Sequence, residues 1–316
     1  MIRSIFVFAF LTLCFSVQCE ARGSSMRGGT SALTASAGLR ASLDHNEGPK
    51  QPEELGAVEW LRDYDQALAQ AKKTGKPVLI LFQEVPGCSN CTTYGNSILS
   101  EPLLVEAIED LFVPLAVFNN KGGKDAAVLK RYGEPSWNNP VVRIVDAKGE
   151  NVIDRMPNFR SAAQLSSGML SALRRSELPV PKYLQLINEQ HQGAEQKTAV
   201  ATFQTACFWS GEAYFGKQAG VVATEAGWQK GHEVVRIRYN VAATSEEVLA
   251  KAGTRKSYKK TENGKFRLDR EPKYYLLKSK FASVEMPELQ ASRVNALLGE
   301  GRDPSQLLSP RQLMAI

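Results

Sequence analysis

The spacing of apolar and polar positions changes several times along the chain, and each change predicts an element. From Trp60, "WLRDYDQALAQAKKTG" has the three-to-four spacing of an amphipathic helix, closed by Gly75. "PVLILF" (77–82) is an uninterrupted apolar run, suited to a strand buried on both faces. After "EVPGCSNC" a helical segment starts near Cys91, and "SEPLLVEAIEDLF" continues it or forms a second helix, with Ser100 as its cap and Pro102 in its first turn. "VPLAVF" reads as a strand and "KDAAVLKRYG" as a helix. "NPVVRIVDAKGENVIDRM" reads as two strands joined by a turn at Lys148–Gly149, and "SAAQLSSGMLSALRRSE" as a closing helix. Residues 177–197 bridge to a second half and include a short helix. There a strand ends in "ATF", a helix begins at Cys207, "GVVATEAGW" and "EVVRIRYN" are strands, and "SEEVLAKAG" is a helix capped by Ser245 or Thr244. The expected organisation is two α/β domains, 54–176 and 198–316.

Length and composition agree with this, since 316 residues accommodate two domains and 43% hydrophobic with 23% charged residues is ordinary for a globular chain. The net charge of +6 is concentrated in "TRKSYKKTENGKFRLDREPK" (254–273), which also holds Glu262, Asp269 and Glu271. That mixture reads as a solvated hairpin, and without interleaved base-stacking aromatics no nucleic-acid partner is expected.

The first residues read as a signal peptide, 1–21: Arg3, the apolar run 5–17, and Cys19 or Ala21 at the cleavage region. The run is short for a membrane span, so no stable membrane insertion is expected. Residues 22–53 are acid-poor up to Asp44 and rich in Ser, Gly, Ala and Arg, as in a disordered linker or a transit-like segment. The expected location is the secretory pathway or an extracytoplasmic space, the alternative being an organelle reached through a two-part presequence.

Of five cysteines, Cys14 and Cys19 fall in the leader, leaving Cys88, Cys91 and Cys207. An odd number suggests a free reactive thiol. At a helix N-terminus Cys88 would meet unpaired N–H groups that favour thiolate, and Cys91, one turn on, could attack a mixed disulfide. A structural disulfide or half of a zinc site are the other readings of this pair. His45, His191 and His232 are scattered and no second CxxC is present, so neither metal nor cofactor is expected. Cys207, in "TACFWSGEAYF", is either a buried core thiol or a nucleophile.

The element order over 60–176, with CxxC directly after the first central strand, resembles a thioredoxin-like domain. The resemblance implies redox activity for Cys88 and Cys91, and Pro140 matches the family's cis-proline beside the cysteine pair. Residues 199–239 resemble peptide methionine sulfoxide reductase of the A type, through the strand ending in "ATF", the Cys-Phe-Trp triplet, Glu212, Phe215, "GVVATEAGW" and "EVVRIRYN". That resemblance implies a peptide-methionine (S)-S-oxide reductase. Cys207 would attack the sulfoxide sulfur, Phe208 and Trp209 would hold the methyl group, and Glu233 would donate a proton from a carboxyl buried beside Val234 and Val235. "DREPKY" places Asp269 and Tyr274 at the family's Asp-to-Tyr separation. The two strands are joined by only "QKGH", which omits a second oxygen-binding tyrosine of the family.

The fold expected is therefore a thioredoxin-like domain followed by an α/β domain of the methionine sulfoxide reductase A type. In the function expected, Cys207 reduces methionine sulfoxide, free or in proteins, and the CxxC regenerates it. An external thiol or thioredoxin-type reductant then recharges the pair. The rival readings are a disulfide oxidoreductase with a non-catalytic methionine-binding second domain, and a non-enzymatic exported binding protein.

Overall fold

A computed structural model describes residues 51–137, 140–156, 161–262 and 264–316. Residues 1–50, which include the stretch 1–21 read as a signal peptide, lie outside the described residues. In the first half Asp63 caps α1 (Tyr64–Thr74), its carboxylate accepting the Gln66 N–H at 3.0 Å, and Gly75 ends the helix at φ 74°. The helix starts later than its apolar spacing suggests, because Leu61 is held in a parallel bridge to Leu115. β1 (Val78–Gln83) is buried throughout, as an uninterrupted apolar run requires. It is followed by α2 (Ser89–Ser97), α3 (Pro102–Leu111), β2 (Val113–Phe118), α4 (Lys124–Tyr132), β3 (Val141–Val145) and α5 (Ala162–Arg175).

β1 lies between β2, which is parallel to it, and β3, which is antiparallel. Its alternate side chains serve two cores: Leu79 and Leu81 pack with α2, α3 and α5, and Val78, Ile80 and Phe82 with α1 and α4. Two expectations change here. Ser100 does not cap α3; its hydroxyl donates to the Gly95 carbonyl at 2.8 Å, and Glu101 takes the cap position ahead of Pro102. The second hairpin strand is reduced to bridges pairing Met156 with Val142 and Asn151 with Val145, around a turn where Gly149 has φ 82°.

Most of the bridging segment is α6 (Lys182–Glu195), whose Tyr183, Leu184 and Ile187 join the core under α3 and α5. Then follow β4 (Thr198–Gln204), α7 (Phe208–Gly216), β5 (Val221–Gln229), β6 (His232–Asn240), α8 (Glu246–Thr254), β7 (Lys259–Thr261) and β8 (Arg267–Leu268). α9 (Tyr274–Leu277), α10 (Glu288–Gly299) and α11 (Pro310–Met314) complete the chain. The sheet is antiparallel in the order β7-β4-β6-β5-β8, with β5 and β6 joined by a two-residue turn at Lys230 and Gly231, both at positive φ. Ser245 caps α8 by accepting from Val248 N–H.

The basic stretch 254–273 is not a hairpin. β7 and β8 occupy opposite edges of the sheet, and β5 and β6 meet Glu262 and Phe266 from between them, through Gln229 and Arg236. One end of the sheet carries the last residues of β4 and β5 and the first of β6, and so also Cys207.

Residues 286–316 tie the two halves into one unit, 49–316. Arg293 on α10 donates to the Gly216 and Gln218 carbonyls at the end of α7 and to Glu189 of α6. Ser309 and the Arg311 N–H both donate to the buried Glu106 of α3, at 2.5 and 2.7 Å. His191 of α6 meets Glu101 at 2.9 Å.

Candidate active sites

The loop after β1 delivers the first pair of thiols. Glu54 steadies it by accepting the Gly87 N–H at 2.6 Å, and Val85–Pro86 is cis. Cys88 is the N-cap of α2, extended at φ −75°, ψ 171°, so its sulfur faces the first free N–H groups of the helix. The Cys91 backbone N–H is the main cause that holds the Cys88 thiol below its ordinary pKa, with the Cys91 side chain and the Asn90 N–H adding to it against the cost of burial. Cys91 is buried, and burial pushes it up to about 12. The sulfurs are 3.7 Å apart and both thiols are free. This arrangement suits an exposed Cys88 to attack a disulfide and a protected Cys91 to resolve it.

Glu84 was not anticipated. Its carboxylate and the two sulfurs lie within 4.8 Å of one another, a donor set that could hold a thiophilic divalent ion. Pro140 is buried at the entry to β3, and the Phe82–Val141 pairing puts it by the Gln83 end of β1, which leads into the cysteine loop. The cis bond expected before it involves Asn139 and lies outside the described residues.

Alkylation should separate the two thiols. Raising pH through neutrality should label Cys88 with a midpoint below the roughly 8.5 of a free thiol, while Cys91 stays protected until strongly alkaline pH. Equal labelling of both at pH 7, read by peptide mass spectrometry, would contradict the assignment.

The second site forms where α7 begins. Cys207 is the N-cap of α7, half-buried and extended at φ −142°, ψ 116°. Glu233 follows the β5–β6 turn, and its backbone carbonyl accepts the Thr205 N–H at 3.0 Å, which fixes it beside the β4–α7 corner. Its Oε2 accepts the Phe208 N–H at 2.8 Å, immediately after Cys207. Val234 and Val235 are buried as expected, but Glu233 itself is only half-buried, since the strand starts at the open sheet end.

An aromatic wall stands beside these groups. Trp209 stacks on Tyr274 with centroids 4.0 Å apart and 15° between planes, and its Nε1–H donates to Asp269 at 3.1 Å. Phe208 is buried against Trp209 and Trp228. Asp269 is thus an acceptor for the wall, and not a partner of Arg267 or Arg270. The structure brings together Cys207, Phe208, Trp209, Glu233, Asp269 and Tyr274, which lie up to sixty-seven positions apart in the sequence.

Two tyrosines were missed. Continuing the β4–β7 register by one residue sets Tyr258 opposite Thr205, and its hydroxyl is raised by burial first and then by the nearby Cys207 charge. The Tyr275 hydroxyl lies 3.2 Å from that of Ser210, one turn along α7 from Cys207.

A thioredoxin-like family model matches residues 59–147, spanning α1 to the turn after β3. Residues 59–147 are a thioredoxin-like domain. Two solved structures are similar to this chain. One, titled "DsbH Oxidoreductase", has 21% identity and a TM-score of 0.33, covering 41% of this chain and 94% of that one. The other is a thioredoxin from Thermus thermophilus, with 23% identity and a TM-score of 0.31, covering 35% and 84%. No curated protein matches the chain. The thioredoxin-like domain holds Cys88 and Cys91 and forms part of a mixed α/β chain.

Proposed function

We propose that the chain is a thiol-dependent methionine sulfoxide reductase, with Cys207 as nucleophile and the dithiol of the thioredoxin-like domain as its regenerating pair. The observation that carries this reading is the Glu233 carboxyl group, placed on the Phe208 N–H next to Cys207 and flanked by the Trp209–Tyr274 wall. A bare structural cysteine has no need of an adjacent carboxyl and an aromatic wall; a sulfoxide does. Its apolar methyl group suits the rings, and its oxygen must take a proton as the sulfur is attacked.

The steps balance as follows. The Cys207 thiolate bonds to the sulfoxide sulfur while the Glu233 carboxyl group delivers a proton to the oxygen. Oε2 accepts the Phe208 N–H, which leaves Oε1 as the oxygen that passes the proton on. Transfer of the oxygen to sulfur leaves a thioether and a Cys207 sulfenic acid. The Cys88 thiolate attacks its sulfur and breaks the S–O bond, giving a Cys207–Cys88 disulfide and hydroxide, which takes a proton from solvent to leave as water. Cys91 then attacks Cys88, which releases the Cys207 thiol and leaves a Cys88–Cys91 disulfide for an external thiol or thioredoxin-type donor to reduce. Residues 1–21, read as a signal peptide, support export or delivery to an organelle as the working compartment.

A second reading is favoured by the lowered Cys88 thiol together with the family match: a general disulfide oxidoreductase whose second half only binds methionine side chains. Glu233→Gln separates the two. Under the reductase reading it slows single-turnover sulfoxide reduction by about 100-fold or more with little change in substrate affinity. An unchanged rate removes Glu233 from the mechanism, and no sulfoxide reduction by the wild type leaves the second reading standing.

A further inference from the structure

Glu212 sits five residues after Cys207 on α7 and is fully buried, with 0% of its surface exposed. Burial raises its carboxyl above the ordinary range, against the pull of Lys273. Its Oε2 accepts the Lys273 backbone N–H at 2.8 Å, and its Oε1 accepts from the Lys273 ammonium at 3.0 Å. The ammonium also donates to the Thr224 carbonyl of β5. One carboxylate therefore takes both the backbone and the side chain of a residue sixty-one positions away.

Lys273 has φ 56°, in the left-handed region that a side-chain-bearing residue enters at a cost. The turn made there starts α9 and sends Tyr274 onto Trp209 and the Tyr275 hydroxyl toward Ser210. Upstream, Asp269 is tied to Ala226 of β5 through its N–H and to Trp209 through its carboxylate. The segment 269–275 is thus pinned at both ends, and Glu212 supplies the second pin.

We propose that the Glu212–Lys273 pair is a positioning clamp. It holds 269–275 on α7 and so sets the aromatic wall that receives the methyl-bearing end of the substrate, a role that rests on the sulfoxide reading. Neither residue touches the reacting atoms, so the effect acts on binding. Removing one partner strands a buried charge and endangers the fold. The test therefore uses the neutral pair Glu212→Gln with Lys273→Met in the full chain, and Lys273→Arg as the conservative control.

The neutral pair should keep the wild-type far-ultraviolet circular dichroism. Backbone hydrogen exchange over 269–275 should rise about tenfold or more. KM for methionine sulfoxide should rise about tenfold with kcat within about threefold, and Lys273→Arg should stay near wild type. Unchanged exchange and KM would overturn the clamp, and so would a fall in kcat as large as the rise in KM. If the wild type reduces no sulfoxide, the reductase reading falls by itself, and the exchange measurement alone still decides whether the clamp exists.

Discussion

Replacing Cys207 with alanine is expected to abolish sulfoxide reduction, lowering turnover by roughly 10⁴-fold or more, as removal of a covalent nucleophile does. The fold should survive, because Cys207 is half-buried at a helix cap with no side-chain capping bond to lose. The groups around it, Glu233, Trp209, Tyr258 and Tyr275, all come from the second half, and Cys88 and Cys91 belong to the first. Disulfide reduction by the CxxC pair should therefore continue in Cys207→Ala. Sulfoxide turnover retained at the wild-type rate would end the nucleophile assignment.

The second large effect is expected from Cys88→Ser combined with Cys91→Ser. Such a chain should complete about one turnover and stall with Cys207 oxidised, since the remaining cysteines, Cys14 and Cys19, fall in the stretch read as a signal peptide. A small added thiol should restore cycling. The wild type should instead finish its first turnover with a Cys88–Cys91 disulfide. Cys88 follows a strand of one sheet and Cys207 a strand of the other, so resolution requires the two thiols to meet. If the double variant cycles as fast as wild type with a protein reductant alone, the thioredoxin-like domain is not the resolver.

Much of the fold was legible because the decisive patterns are local. The apolar run in β1, the Ser245 cap, and the strands on either side of "QKGH" each stand in fewer than ten consecutive residues. Cys88 and Cys207 at helix N-termini were readable for the same reason. What escaped depends on pairing at long range. The charges in 254–273 suggest a solvated hairpin, yet β7 and β8 join opposite sheet edges, which is how Tyr258 comes beside the β4–α7 corner and Asp269 and Tyr274 reach Trp209. Lys273 gave no signal either, since a lysine amid basic residues does not announce a buried carboxylate partner. Glu106 likewise reads as one polar position in an amphipathic helix, and its role in receiving Ser309 is set by a contact across two hundred and three residues.

The central claim is that Cys207 is the thiol the substrate oxidises and that the oxidation then moves to the first half. The direct test mixes fully reduced wild-type protein with one equivalent of methionine sulfoxide, quenches with an alkylating reagent and a sulfenic-acid trap at successive times, and maps each cysteine by mass spectrometry. The account predicts early modification at Cys207 alone, then a linked Cys207–Cys88 peptide, then a Cys88–Cys91 disulfide with Cys207 free again. Oxidation appearing first at Cys88, or never at Cys207, would contradict it.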